Sequence, residues 1–242
     1  MYFSITVLTL ACIGIFFNQA HALAPAEPAR EEIMERYQLI DFSNYEKPEL
    51  DIFARALSGY YQLRDMGKLS EKQILTIIDF RKSANEKRMW IIDLATNKLL
   101  KYSLVAHGRN SGEHYAKQFS NTPNSNKSSL GFYVTGSTYI GKHGLSLKLK
   151  GMEKGINDNA ESRAIVMHAA DYVSESYIRK VGRLGRSLGC PAVPSETHRE
   201  IISEISGGTC LFIYYPEEYY LAQTNFANSI GELAQQGSVF QF

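Results

Sequence analysis

From Met89 onward the chain is cut into short apolar runs by turn residues, and this limits the fold more than any other feature. "MWIIDL" is followed by the turn "ATNK", and "LLKYSLVA" returns; the pair reads as a β-hairpin. "GFYVTG" and "LSLKLK" give two further strands, the second with strict alternation of Leu145, Leu147 and Leu149. "AIVMHAA" reads as a strand ending in His168, and "TCLFIYYP" as a last strand buried on both faces. Ser195–Ile205 has a helical pattern, stopped by Gly207 and Gly208. Residues 86–216 are therefore expected to form a mainly β domain with short helices. The 15 tyrosines suit strands whose rings are half-buried. Between Gly108 and Ser129 runs a polar stretch without periodicity, and a loop of that length in a compact domain is commonly functional.

Upstream the period changes. Leu50, Phe53, Leu57 and Tyr61 recur at helical intervals within Pro48–Met66, and Gly67 stops the pattern. Ser70 and Gln73 then resemble a capping box before Ile74, Ile77 and Ile78, which predicts a second helix. Residues 23–85 accordingly read as a small helical extension. Residues 217–242 read as a tail with one short helix.

Met1 to Phe17 is almost wholly apolar and uncharged, and "AHA" at Ala20–Ala22 offers the small-x-small pattern of a signal-peptidase site. Residues 1–22 are thus expected to be a signal peptide, with "ALA" at Ala22–Ala24 as an alternative site. No Lys or Arg precedes the apolar run, so an uncleaved anchor is the competing reading. A run of about 17 apolar residues is at the short limit for a span. Export to the periplasm or cell envelope follows, with membrane contact only transient. The formal net charge is +1, and residues 1–22 carry no Lys, Arg, Asp or Glu, so cleavage leaves it unchanged. That balance argues against nucleic acid as a partner.

Two cysteines remain after such cleavage. Cys210 lies in an apolar strand, where a thiol behaves as a small hydrophobe. Cys190 lies in "GRSLGCPAVP", between Gly189 and Pro191. Such a loop can present a side chain while turning backbone N–H groups toward one point, which suits a nucleophile with an oxyanion hole. The bland alternative is a disulfide between Cys190 and Cys210. His168 is a candidate base for the thiol. Arg179, Lys180, Arg183 and Arg186 lie between them and would favour a thiolate and attract carboxylates, or simply form a solvated face. His107, His114, His143 and His198 offer imidazoles for a zinc site, but no H-E-x-x-H or paired Cys-x-x-Cys motif accompanies them.

Together these residues resemble the murein L,D-transpeptidase catalytic domain family. The family pattern is a histidine followed, after a spacer, by Ser/Thr-His-Gly-Cys. Here His168 is followed by 18 residues and then Ser187-Leu188-Gly189-Cys190. "HGRNSG", "SLGFYVTG", "GKHGLSLKLKG", "AIVMHAADYVSE" and "GRLGRSLGCPA" resemble one branch of the family and stand in its order. The resemblance implies a mixed β-sheet sandwich with short helices. It implies a cysteine acyltransferase acting on peptidoglycan stem peptides, with a tetrapeptide donor and a diamino-acid acceptor. Cys190 would be the nucleophile and His168 its base, with Leu188 and Gly189 supplying oxyanion N–H groups. Arg183, Arg186, Ser187, His143 and Tyr133 would be substrate contacts. No cofactor or metal is implied. Leu188 stands where the motif histidine would be, which removes an accessory imidazole and not the base. The competing functions are a carboxypeptidase, a zinc-dependent wall peptidase and a non-catalytic wall-binding module.

Overall fold

A computed structural model describes residues 30–226. The expected signal segment and the end of the tail lie outside those residues. Helices α1 (Arg30–Leu39) and α2 (Leu50–Asp65) come first. They are followed by strands β1 (Ile74–Asp79), β2 (Met89–Asp93), β3 (Lys98–Ser103), β4 (Gly131–Gly141), β5 (Gly144–Gly151) and β6 (Val166–Ala170). Then come α3 (Glu175–Val181), β7 (Ala192–Pro194), α4 (His198–Ile205), β8 (Cys210–Tyr214) and α5 (Glu218–Gln223). The eight strands form one mixed sheet in the order β3-β2-β1-β8-β4-β5-β6-β7. The mainly β class expected from the sequence is what the chain adopts.

The helix expected from Ser70 is instead β1. Ile74, Leu75, Thr76, Ile77 and Ile78 are all buried, and the strand pairs antiparallel with β2 and parallel with β8. A β-branched run buried on both faces satisfies helical spacing as readily as strand spacing, and only its neighbours decide. Residues 74–79 thus sit inside the sheet, although they belong to the stretch read as a separate helical extension. Two elements, α3 and β7, were not anticipated. No residue of α3 is buried, so it lacks the apolar stripe that would announce it. β7 is three residues long and is held by register with β6.

The pairing register sorts the two faces of the sheet. Phe132 pairs with Phe212, and Phe212 with Ile77, so these side chains share a face. That face receives α2, whose Ile52, Phe53, Leu57 and Leu63 are fully buried. The approach is close: a Cβ on Gly59 would lie 2.1 Å from the Phe132 ring. Cys210, two residues before Phe212, shares this face. The register carries the same face along β4 and β5 to Ser146 and Lys148, and from them to His168 and Val166 on β6. α2 packs on β1 and β8, while on this second half of the face Ser146 and His168 are buried and Lys148 is exposed. α4 packs against β1, β5 and β6.

The sheet curls until its two edges meet. The chain leaving β3 at one edge bridges β7 at the other, through Ala106 to Ala192, and Gly108 bridges Ser187. The long loop that follows residue 107 is thereby brought against the loop carrying Cys190.

Candidate active site

His168 is the middle residue of β6, not its end, and is 4 % exposed. Its Nδ1 lies 2.8 Å from the carbonyl oxygen of Ala169. A carbonyl can only accept, so Nδ1 carries the proton and Nε2 keeps its lone pair. Burial pulls the imidazole below its ordinary value of 6.5, with smaller contributions in the same direction from His143 and Lys142. The resting ring is therefore neutral at pH 7.

Cys190 follows from the same register. His168 pairs with Ala192 in parallel, so Cys190, two residues earlier, falls beside Val166, two residues before His168. Val166 N–H donates to Cys190 Sγ at 3.5 Å, and Sγ lies 3.7 Å from the Ala164 carbonyl oxygen. The thiol and the imidazole thus occupy neighbouring rows on one half-face. Burial raises the thiol above 9.0, while the Val166 N–H and the charges of Arg163 and Lys142 oppose the rise. A neutral thiol beside a neutral imidazole is a pair in which the base takes the proton as the bond forms.

The loop around Cys190 is braced from within. Ser187 is buried; its Oγ accepts from Gly189 N–H at 3.1 Å and donates to the Cys190 carbonyl at 2.6 Å. Ser187 is therefore a turn brace and not a surface for substrate. Gly189 N–H is occupied by that bond, which removes it from the oxyanion donors expected from the sequence. Gly189 has φ 127°, a conformation that side chains rarely adopt. Leu188 is 57 % exposed, so the position where the family carries a second histidine points outward.

The loop is also laced to its neighbour. Ser187 N–H donates to the His107 carbonyl and Arg109 N–H to the Ser187 carbonyl. Ser128 Oγ donates to the Gly189 carbonyl and accepts from Gly108 N–H, each at 3.0 Å. Arg186 donates to the carbonyls of Arg109 and Gly112 and to Glu113, and Arg183 pairs with Glu113 at 3.0 Å. These two arginines, expected to meet substrate, are committed to fastening the two loops. Tyr133 is fully buried and its hydroxyl lies 2.7 Å from Ser129 Oγ, so it does not line an open site. His143, at the tip of the β4–β5 hairpin, is brought to the site: its ring stacks on His168 at 4.4 Å.

Two residues of the site escaped sequence reasoning. Arg163 donates to the carbonyls of Ser120 and Lys127, each at 2.7 Å, and its charge reaches Cys190. Arg88 is wholly buried and donates to the Val105 and Lys82 carbonyls and to His107 Nδ1. Burial lowers its guanidinium to about 9. Burial and the nearby Arg88 hold His107 neutral, at about 3, so Nε2–H donates to the Gly112 carbonyl. Neither could be found by spacing, because a lone arginine in a polar run has no pattern. Among the described residues no three His, Cys, Asp or Glu side chains gather as a metal-binding set. Cys190 and Cys210 are both free thiols.

A profile of the L,D-transpeptidase catalytic domain matches residues 44–214. The chain belongs to that family. The matched region begins between α1 and α2 and so includes α2. No curated protein matches the chain closely enough to count as a relative. Among solved structures it is similar to an L,D-transpeptidase from Mycobacterium smegmatis, at 11% identity and a TM-score of 0.37, covering 60% of this chain and 59% of that one. L,D-transpeptidase 1 of Mycobacterium tuberculosis gives 8% identity and 0.34, covering 59% and 62%. The helical cell shape determining protein of Campylobacter jejuni gives 12% and 0.37, covering 67% and 56%. The chain thus spans less than two thirds of the length of these proteins.

Proposed function

We propose that this chain is an exported cysteine acyltransferase acting on peptidoglycan stem peptides. The donor is a tetrapeptide. Cys190 Sγ attacks the carbonyl of its third residue, a diamino acid, and His168 Nε2 takes the thiol proton. The S–C bond forms, the C–N bond to the terminal D-Ala breaks, and the proton passes to the leaving amine. The Leu188 and Cys190 N–H groups hold the oxyanion. An amine of a second stem then releases the thioester and creates a crosslink between third residues; water in its place gives a carboxypeptidase.

The observation carrying this reading is the fixed tautomer of His168, whose Nδ1 is spent on Ala169 and whose Nε2 is free one row from Cys190. A zinc peptidase would need the loop histidines, yet His107 is bound to Arg88 and Gly112 and His143 is stacked on His168. The test is incubation with a disaccharide-tetrapeptide and mass analysis. Dimer or loss of D-Ala is expected from the parent, with neither from Cys190→Ala or His168→Ala at unchanged melting temperature. A covalent carbapenem adduct is expected on Cys190. Full activity in Cys190→Ala would overturn the assignment.

A further inference from the structure

Cys190 Sγ meets one short turn, Arg163–Val166, whose groups act on it with opposite polarity. Val166 N–H donates to Sγ at 3.5 Å, which favours a thiolate. The Ala164 carbonyl lies 3.7 Å from Sγ and can only accept, which favours the thiol. The turn is closed by Ala164 N–H to the Glu161 carbonyl at 3.0 Å and Ile165 N–H to the Ala160 carbonyl at 2.9 Å. That is the bonding of a Schellman turn, whose left-handed position usually holds glycine. Here it holds Ala164, at φ 53°. The strained residue is therefore the one whose carbonyl faces the thiol.

Arg163 opens this turn and is half-buried, with both terminal nitrogens fixed. Nη1 donates to the Ser120 carbonyl at 2.7 Å and to Ser129 Oγ at 3.3 Å. Nη2 donates to the Lys127 carbonyl at 2.7 Å and to Ser125 Oγ at 3.3 Å. All of these acceptors are neutral, and no carboxylate among the described residues forms an ion pair with it. Nη2 lies 3.5 Å from where a Cβ on Gly189 would be, so the guanidinium abuts the residue just before the nucleophile. A half-buried cation without a counter-ion keeps its field for a negative charge that forms beside it. The other ionisable groups around Sγ are Lys142 and His143 of the β4–β5 hairpin, His168 on β6 and Tyr172 beyond it. Lys142 is also a cation near the thiol, but it is exposed, where salt weakens its effect.

We infer that Arg163 is a positioning residue for the nucleophile: clamped by residues 120–129, it keeps an unneutralised cation beside Cys190 that holds the sulfur as thiolate once its proton has left. The Ala164 carbonyl holds the resting thiol, and Arg163 with Val166 N–H holds the anion that replaces it. Without the guanidinium, burial and the Ala164 carbonyl return the proton to sulfur. Arg163 acts through Cys190 and not on the substrate, since its fork is spent on the protein. Its part in turnover rests on the acyl-transfer reading given above; its hold on the thiolate does not.

The experiment follows alkylation of Cys190 by iodoacetamide against pH in the parent, Arg163→Lys, Arg163→Gln and Arg163→Met, with melting temperatures alongside. The reagent is uncharged, so the cation does not steer it, and its rate follows the thiolate. In Arg163→Gln and Arg163→Met the midpoint should move up and the rate at pH 7 should fall about tenfold. Arg163→Lys retains the charge and should stay within about threefold of the parent. With a disaccharide-tetrapeptide donor, the neutral variants should lose kcat while KM changes little. Equal midpoints in all four proteins would overturn the role. So would a lysine variant as slow as the glutamine one, or neutral variants that do not fold, since Arg163 would then only fasten the turn. A midpoint that moves as expected, with no turnover of the donor by the parent, would overturn the transfer reading and keep the hold on the thiolate.

Discussion

The imidazole of His143 lies stacked on that of His168, with ring centres 4.4 Å apart and planes inclined by 18°. The contact shields the base from water and places a second ionisable ring against it. Both effects, with Lys142, disfavour the charged form of His168. The base is therefore available until the pH falls below 6.5. The acid limb of the kcat/KM profile should lie below that value. In His143→Ala it should move up toward 6.5, because the stacked ring that disfavours the charged form of His168 is gone. His168→Ala should lose about 10²–10⁴ in rate. An acid limb above 6.5 in the parent, or no movement in His143→Ala, would contradict the role given to the stack.

Gly189 should not tolerate a side chain. Its φ is 127°, and a Cβ there would lie 2.9 Å from the Lys127 carbonyl and 3.2 Å from Ile165 Cδ1. Gly189→Ala combines backbone strain of ~1–3 kcal/mol with a shift of the loop that carries the nucleophile. Melting temperature should fall by several degrees, and alkylation of Cys190 should change in rate. An unchanged profile on both measures would show that the loop adapts freely.

Gly59→Ala looks stabilising by helix propensity, which favours alanine by about 1 kcal/mol. The packing reverses the sign, because the new methyl would sit 2.1 Å from the Phe132 ring, itself stacked on Phe212 at 4.2 Å. Overpacking of this kind costs about 1–3 kcal/mol or more. Denaturant unfolding should show a net loss of stability in a single transition. A gain would mean that α2 is not seated on the sheet.

Glu153 is buried and accepts from Phe132 N–H at 2.7 Å and from Thr224 Oγ1 at 2.6 Å, tying the chain after α5 to β4. Burial pushes its carboxyl up to about 7, against 4.5 when solvated. Between these values the native chain retains a proton that the unfolded chain has released. The stability this contributes is complete below about 4.5 and is lost as pH rises through about 7. Glu153→Gln cannot titrate and loses the Thr224 acceptor on one side. Its melting temperature should lie below the parent's near pH 5, and the gap should close by several degrees toward pH 8. A gap independent of pH would exclude titration at this residue.

The hairpin of β2 and β3, the alternation in β5, the buried run of β8 and the helices α2 and α4 were legible in the sequence because each is a local pattern with one partner period. Cys190 drew attention in the sequence because glycine and proline around a thiol leave few structural reasons for it, and its role with His168 is what is proposed above. β1 was not legible as a strand, since Ile74, Ile77 and Ile78 fit a helix equally well until β2 and β8 flank them. Arg183 and Arg186 looked available for substrate, and only the fold sets Glu113 and the Gly112 carbonyl against them.

By itself the sequence determined which segments are strands or helices where the period was unambiguous, and which thiol stands in a loop built for exposure. Only the tertiary structure decided that β6 and β7 run in parallel with His168 beside Ala192, which puts the thiol one row from the imidazole. It alone decided that α2 packs on β1 and β8, and that Ser128 and Arg186 hold the two loops together. The reason is physical: period is a property of neighbours along the chain, while register, cover and charge environment belong to residues that the chain brings together from far apart.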